Sequence, residues 1–183
     1  LSLMHASDKA FEELIGYFKN VKEPTIVVMF GDHLPSLEKE FYTELFGEAP
    51  ENFDITKNQA YHQTPFVIWA NYDIPEKDMG TISTNYLSPL ILETAGLKLT
   101  DYERYLASLY KSLPVISNLG YVDAKGEAFY QIPENQSAIK RLVNDYQCVA
   151  YNNLMDTTHR DWSVFTHDEK ALPSVTPFKH TKE

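Results

Sequence analysis

Apolar residues recur along this chain with two different periods, and the switches between them mark out its elements. Met4, Phe11, Leu14, Ile15 and Phe18 share one helical face while Asp8, Lys9, Glu12 and Glu13 share the other, the pattern of a surface helix packed on a sheet. Pro24 ends it. Thr25-Ile26-Val27-Val28-Met29-Phe30 is then an unbroken apolar, β-branched run, as in strands buried on both faces. Pro65-Phe66-Val67-Ile68-Trp69-Ala70 repeats that pattern. Between the two runs, Leu37, Phe41 and Leu45 predict a helix over 36–48, and the polar stretch 49–63 reads as a loop.

Asn85 to Ala95 predicts a packed helix with Gly96 at its C-terminal cap and Pro89 close to its first turn. Thr100 and Glu103 form a capping box ahead of a stripe of Tyr102, Tyr105, Leu106, Leu109, Tyr110 and Leu113, which Pro114 ends. Gly120 to Tyr130 reads as a small hairpin around an Asp123-Ala124-Lys125-Gly126 turn. A last helix, about 134–154, aligns Ile139, Leu142, Val143, Tyr146, Val149 and Ala150. From Asp156 the pattern dissolves into a polar tail anchored by Trp162, Val164 and Phe165. Helices alternating with two wholly apolar strands give the α/β class, with a mainly parallel sheet flanked by helices. The expected organisation is one domain over 1–155 and a partly ordered tail over 156–183.

Composition adds limits. The 183 residues carry 43% hydrophobic and 23% charged side chains, a globular balance rather than that of a disordered chain. A formal net charge of -10, with no cluster of Lys and Arg, excludes a general nucleic-acid binder. The single cysteine, Cys148, lies in an apolar stretch and is expected to be buried and structural. No apolar run reaches the roughly 18 residues needed to cross a bilayer, and no signal peptide opens the chain. It begins at Leu1, within a helical pattern, so we expect a piece of a longer protein.

In an open α/β sheet, ligands bind beyond the carboxyl ends of the strands. Gly31-Asp32-His33 stands directly after the first strand. A carboxylate oxygen and an imidazole nitrogen are both good ligands for Zn²⁺ or Mn²⁺, and Gly31 would free the backbone to bring the adjacent side chains together. Two ligands do not complete a site. Taken on spacing alone, the pair also fits a loop carboxylate beside a hydrogen-bonded histidine.

The segment Thr25 to Pro35 resembles the Gly-Asp-His segment of the lipoteichoic acid synthase and MdoB-like phosphoglycerol transferases, of the sulfatase and alkaline phosphatase superfamily. The likeness extends to Ser7–Ile15, Thr64–Tyr72, Asn85–Pro89, Glu93–Leu97, Tyr146-Gln147 and Tyr151-Asn152, and so covers roughly residues 1–155. It implies the C-terminal part of that fold, with the N-terminal half and the membrane spans lying outside this chain. It implies that Asp32 and His33 are ligands of one divalent cation, Mn²⁺ above all with Mg²⁺ or Zn²⁺ as alternatives, incompletely coordinated here. The family's threonine nucleophile, its glutamate ligand and a substrate-binding histidine lie upstream, so no catalytic residue is assigned in this chain.

The activity implied is covalent transfer of glycerophosphate from phosphatidylglycerol or a related lipid headgroup to a glycan or polymer of the cell envelope. It would take place on the outer face of a bacterial cytoplasmic membrane to which the parent protein is anchored. This chain alone would be inert. A sulfatase or phosphodiesterase of the same superfamily, and a degenerate binding domain without activity, are the alternatives.

Other candidates are weaker. His62, beside the second strand, and His5, in the first helix, could approach substrate, although a packing or solvated histidine is the plainer reading of each. Asp73 follows the second strand and could support the site, or could simply form a turn. His159, His167 and His180 lack ligand spacing and fall in the tail.

Overall fold

The computed structural model describes residues 2–156 and 158–167, so His180 lies outside the described residues. The chain divides into two units, one made of residues 1–83 and 115–131, the other of 84–114 and 132 onward.

The first unit opens with helix α1 (Ser2–Phe18), followed by strand β1 (Ile26–Phe30), helix α2 (Lys39–Phe46), a 3-10 turn (Pro50–Asn52), helix α3 (Ile55–Tyr61) and strand β2 (Phe66–Ala70). The strands fall where the apolar runs place them, but they pair antiparallel, with Ile26 opposite Ala70 and Phe30 opposite Phe66. This corrects the expected mainly parallel sheet. An apolar run reports burial and not direction, and here the connection through α2 and α3 delivers Thr64 and Pro65 to the end of β1 rather than to its beginning. Coverage also differs from expectation. Met29, Phe30 and Val67 are 36%, 55% and 41% exposed, and on α1 both Met4 and Leu14 face solvent.

The stretch read as a loop contains α3, whose start is capped by Asp54 accepting from the Lys57 N–H at 2.8 Å. Its Tyr61 joins Tyr42, Phe46 and Phe53 in an edge-on aromatic cluster, with Tyr42 and Tyr61 at 4.8 Å. Tyr42 and Phe53 are buried there. The expected hairpin is present as β4 (Gly120–Val122) and β5 (Ala128–Phe129), joined by β3 (Val115–Ser117), which the sequence pattern did not reveal. Asp123 organises its turn by accepting from the N–H groups of Lys125 and Glu127. At Gly120, with φ of 140°, an added Cβ would stand 2.3 Å from the Phe129 carbonyl oxygen, so only glycine fits.

In the second unit a 3-10 turn (Thr84–Tyr86) leads into α4 (Leu87–Thr94). Pro89 occupies its third position, where the missing N–H costs nothing. Gly96, at φ 68°, ends it with the paired bonds Leu97 N–H to Leu92 O and Gly96 N–H to Glu93 O, a Schellman cap. Helix α5 (Asp101–Tyr110) carries the expected capping box, with Thr100 and Glu103 each accepting from the other's N–H. Leu106, Leu109 and Leu113 form the core with Val143 of α6 (Ser137–Leu154). Cys148 is exposed, which corrects the expected burial. It sits about half a turn away from the stripe of Ile139, Val143, Tyr146 and Ala150 that faces the core. Helix α7 (Trp162–Phe165) packs Phe165 on Tyr102, with ring centroids 5.2 Å apart. The start of the tail is therefore tied to its unit.

Candidate functional site

The Gly31–Pro35 turn leaves the end of β1 and is held on both sides. On one side, Gly31 N–H donates to Pro65 O at 3.0 Å, and Thr64 Oγ1 donates to Gly31 O at 2.8 Å. On the other, Tyr42 donates its hydroxyl proton to Pro35 O at 2.6 Å. Gly31 is required here for a reason other than the expected one. Its φ is not in the left-handed region, but an added Cβ would lie 2.8 Å from Thr64 Cβ, closer than two such carbons approach. Space, not rotation, selects glycine.

Between these anchors Asp32 and His33 converge. Asp32 Oδ1 accepts from the His33 N–H at 2.9 Å, and Asp32 Oδ2 lies 3.5 Å from His33 Nε2. His33 Nδ1 stands 2.8 Å from Leu34 O. A carbonyl can only accept, so Nδ1 carries a ring proton, and Nε2 stands beside the carboxylate. Both side chains are largely exposed, at 78% for His33 and 86% for Asp32. With Nε2 unprotonated, Asp32 and His33 would offer two lone-pair donors 3.5 Å apart that could hold one divalent cation. Among the described residues no group of three or more His, Cys, Asp or Glu side chains is placed to hold a metal.

The remaining candidates disperse. His62 caps the end of α3 with its Nδ1 2.8 Å from Asn58 O. His5 is an exposed residue of α1. Asp73 was expected at the same sheet edge as Asp32, but antiparallel pairing puts the end of β2 beside the start of β1, so Asp73 lies at the opposite end of the strand pair. His159 contacts Thr158 and Asp156, where the His159 backbone N–H holds the Asp156 carboxyl below the usual carboxylate range. His167 lines a shallow cleft of the second unit with Leu97, Thr100, Arg104, Ser163 and Thr166.

Sequence reasoning did not single out Thr64 or Tyr42. Thr64 enters the sequence reading only as the first residue of the family-like segment Thr64–Tyr72, and its contact with Gly31 spans 33 residues. Only the pairing of the two strands reveals it. No described helix is long and apolar enough to cross a membrane.

Comparison with known proteins gives the chain its family. A protein of Rhizobium meliloti (strain 1021) named for cyclic beta-1,2-glucan modification is 31% identical over 124 residues, which are 66% of this chain and 19% of that protein. The fold matches the Streptococcus pyogenes phosphoglycerol transferase GacH, solved in complex with sn-glycerol-1-phosphate, with a TM-score of 0.52 and 19% identity, over 80% of this chain and 31% of that one. The chain thus spans about a fifth of the first relative and a third of the second. Residues 1–97 match the Sulfatase family, and the chain belongs to that family.

Proposed function

We propose that this chain is part of a metal-dependent phosphoglycerol transferase and supplies two ligands, Asp32 and His33, to its single divalent cation. The carrying observation is the convergence of Asp32 Oδ2 and His33 Nε2, 3.5 Å apart past the end of β1, in a chain with the fold of a phosphoglycerol transferase. A divalent cation such as Mn²⁺, when bound, would offset charge on phosphate oxygens and favour an alkoxide nucleophile. Asp32 contributes the anionic ligand. His33 contributes a neutral nitrogen whose tautomer the Leu34 carbonyl holds.

The remaining ligands and the threonine nucleophile belong, in this reading, to the preceding part of the protein. The reaction passes glycerophosphate from phosphatidylglycerol to that threonine and then to a glycan or polymer hydroxyl. The glucan named in the Rhizobium relative and the sn-glycerol-1-phosphate of the GacH complex support a glycan acceptor and a glycerophosphate group. The site of action would be the outer face of the cytoplasmic membrane.

The Sulfatase family match favours one second reading, hydrolysis of a sulfate or phosphate ester. Incubating the polypeptide that carries this chain and the preceding sequence with phosphatidylglycerol and Mn²⁺ separates the two. Diacylglycerol release with the glycerophosphate carried onto an added glycan supports transfer, whereas free glycerophosphate in solution, or turnover of an aryl sulfate with none of the lipid, supports hydrolysis. The 183-residue chain alone should release nothing, since a cation without an attacking group supplies only part of the stabilisation.

A further inference from the structure

We infer that Thr64 is a positioning residue for the Asp32–His33 pair and acts on it through Gly31. The inference rests on the cation reading above. Thr64 stands one residue ahead of Pro65, just before β2, and its hydroxyl proton goes to Gly31 O at 2.8 Å. The same residue is bonded from its other side, Gly31 N–H to Pro65 O at 3.0 Å. Both polar groups of the Gly31 backbone are thus committed to the strand beside it. With Thr64 Cβ at 2.8 Å from where a Gly31 Cβ would stand, the two backbones meet at a distance that only glycine allows at position 31. The peptide plane that carries Gly31 O also carries the Asp32 N–H, so a bond that holds this oxygen sets the direction in which Asp32 leaves the strand. His33 follows, because its N–H bonds to Asp32 Oδ1 at 2.9 Å.

A hydroxyl that orients a ligand without touching the metal should change affinity by roughly ten- to a hundredfold when lost. Thr64→Val keeps the shape and removes the hydroxyl, while Thr64→Ser keeps the hydroxyl and removes the methyl. The test uses the ¹⁵N-labelled 183-residue chain titrated with Mn²⁺, whose paramagnetism broadens nearby amides even when binding is weak. Amides of residues 31–34 should broaden first, at roughly tenfold higher Mn²⁺ in Thr64→Val and at the wild-type concentration in Thr64→Ser.

Hydrogen exchange without metal is the second readout: Thr64→Val should hasten exchange at Gly31 and His33, and Thr64→Ser should not. Equal titrations and equal exchange in Thr64→Val and wild type would overturn the inference. Faster exchange in the variant, with no local broadening in any form, would uphold the positioning role and remove the cation reading. Should valine unfold the unit, Thr64→Ala provides the same comparison.

Discussion

Asn71 and Thr25 clasp the end of the strand pair that lies away from Asp32. Asn71 Oδ1 accepts from the Thr25 N–H at 2.8 Å, and the Asn71 N–H donates back to Thr25 O at 3.1 Å. The Asn71 side-chain amide also donates to Val21 O and Glu23 O, each at 2.9 Å. One side chain therefore satisfies the backbone that links α1 to β1. Replacing it with alanine leaves the Thr25 N–H and Val21 O without their side-chain partner, while Glu23 O keeps the Thr25 hydroxyl at 2.9 Å, and should lower stability by about 2 kcal/mol. Asn71→Asp should cost more, because its carboxylate would face carbonyl oxygens. Urea unfolding of both variants checks the order.

Gly31→Ala and Gly120→Ala should both destabilise, for different reasons. The first meets the Thr64 side chain, Cβ at 2.8 Å and Cγ2 at 3.3 Å, a crowding of about 1–3 kcal/mol. The second meets the Phe129 carbonyl oxygen at 2.3 Å and also needs φ of 140°, so its loss should be larger. The two midpoints measured side by side decide this, and a smaller loss at Gly120 would contradict it.

The second unit should weaken in alkali before its surface charges explain it. Burial pushes the Tyr105 hydroxyl up to about 12, with Asp145 nearby adding to the effect. Burial likewise raises Tyr86, Tyr102 and Tyr146. An unfolded tyrosine ionises near about 10. Between that value and the folded ones, the unfolded state has lost protons that the folded state keeps, so stability is full below pH 10 and falls as pH rises toward 12. Circular dichroism with tyrosinate absorbance should show unfolding and ionisation together in that window. The full tyrosinate absorbance of the chain appearing near pH 10 with the fold intact would contradict the buried hydroxyls.

Thr100→Ala removes half of the capping box that starts α5. The expected loss is about 1 kcal/mol, and Thr100→Ser should restore most of it.

These elements show which parts of the fold the sequence makes legible. The capping box at Thr100 and Glu103, the glycine after α4 and the Asp123 turn are local, written in residues a few positions apart, and each appears as read. The strand positions were also legible, as apolar runs. Their direction was not, because Thr64 meets Gly31 across 33 residues and no local pattern encodes that meeting. Helix α3 escaped because its exposed face is polar and its contribution to the core is chiefly aromatic, through Tyr61. Asp32 and His33 were legible as residue types after a strand, while the anchors that aim them, Thr64 and Tyr42, depend on pairing and on a ring hydroxyl reaching seven residues back.

The most direct test of the central claim is calorimetric titration of Mn²⁺ into the polypeptide that carries this chain together with the sequence preceding it. The account predicts one site per chain, an affinity orders of magnitude above that of the 183-residue chain alone, and loss of that gain in both Asp32→Ala and His33→Ala. Unchanged binding in either variant would show that the cation, if one is held, is held elsewhere.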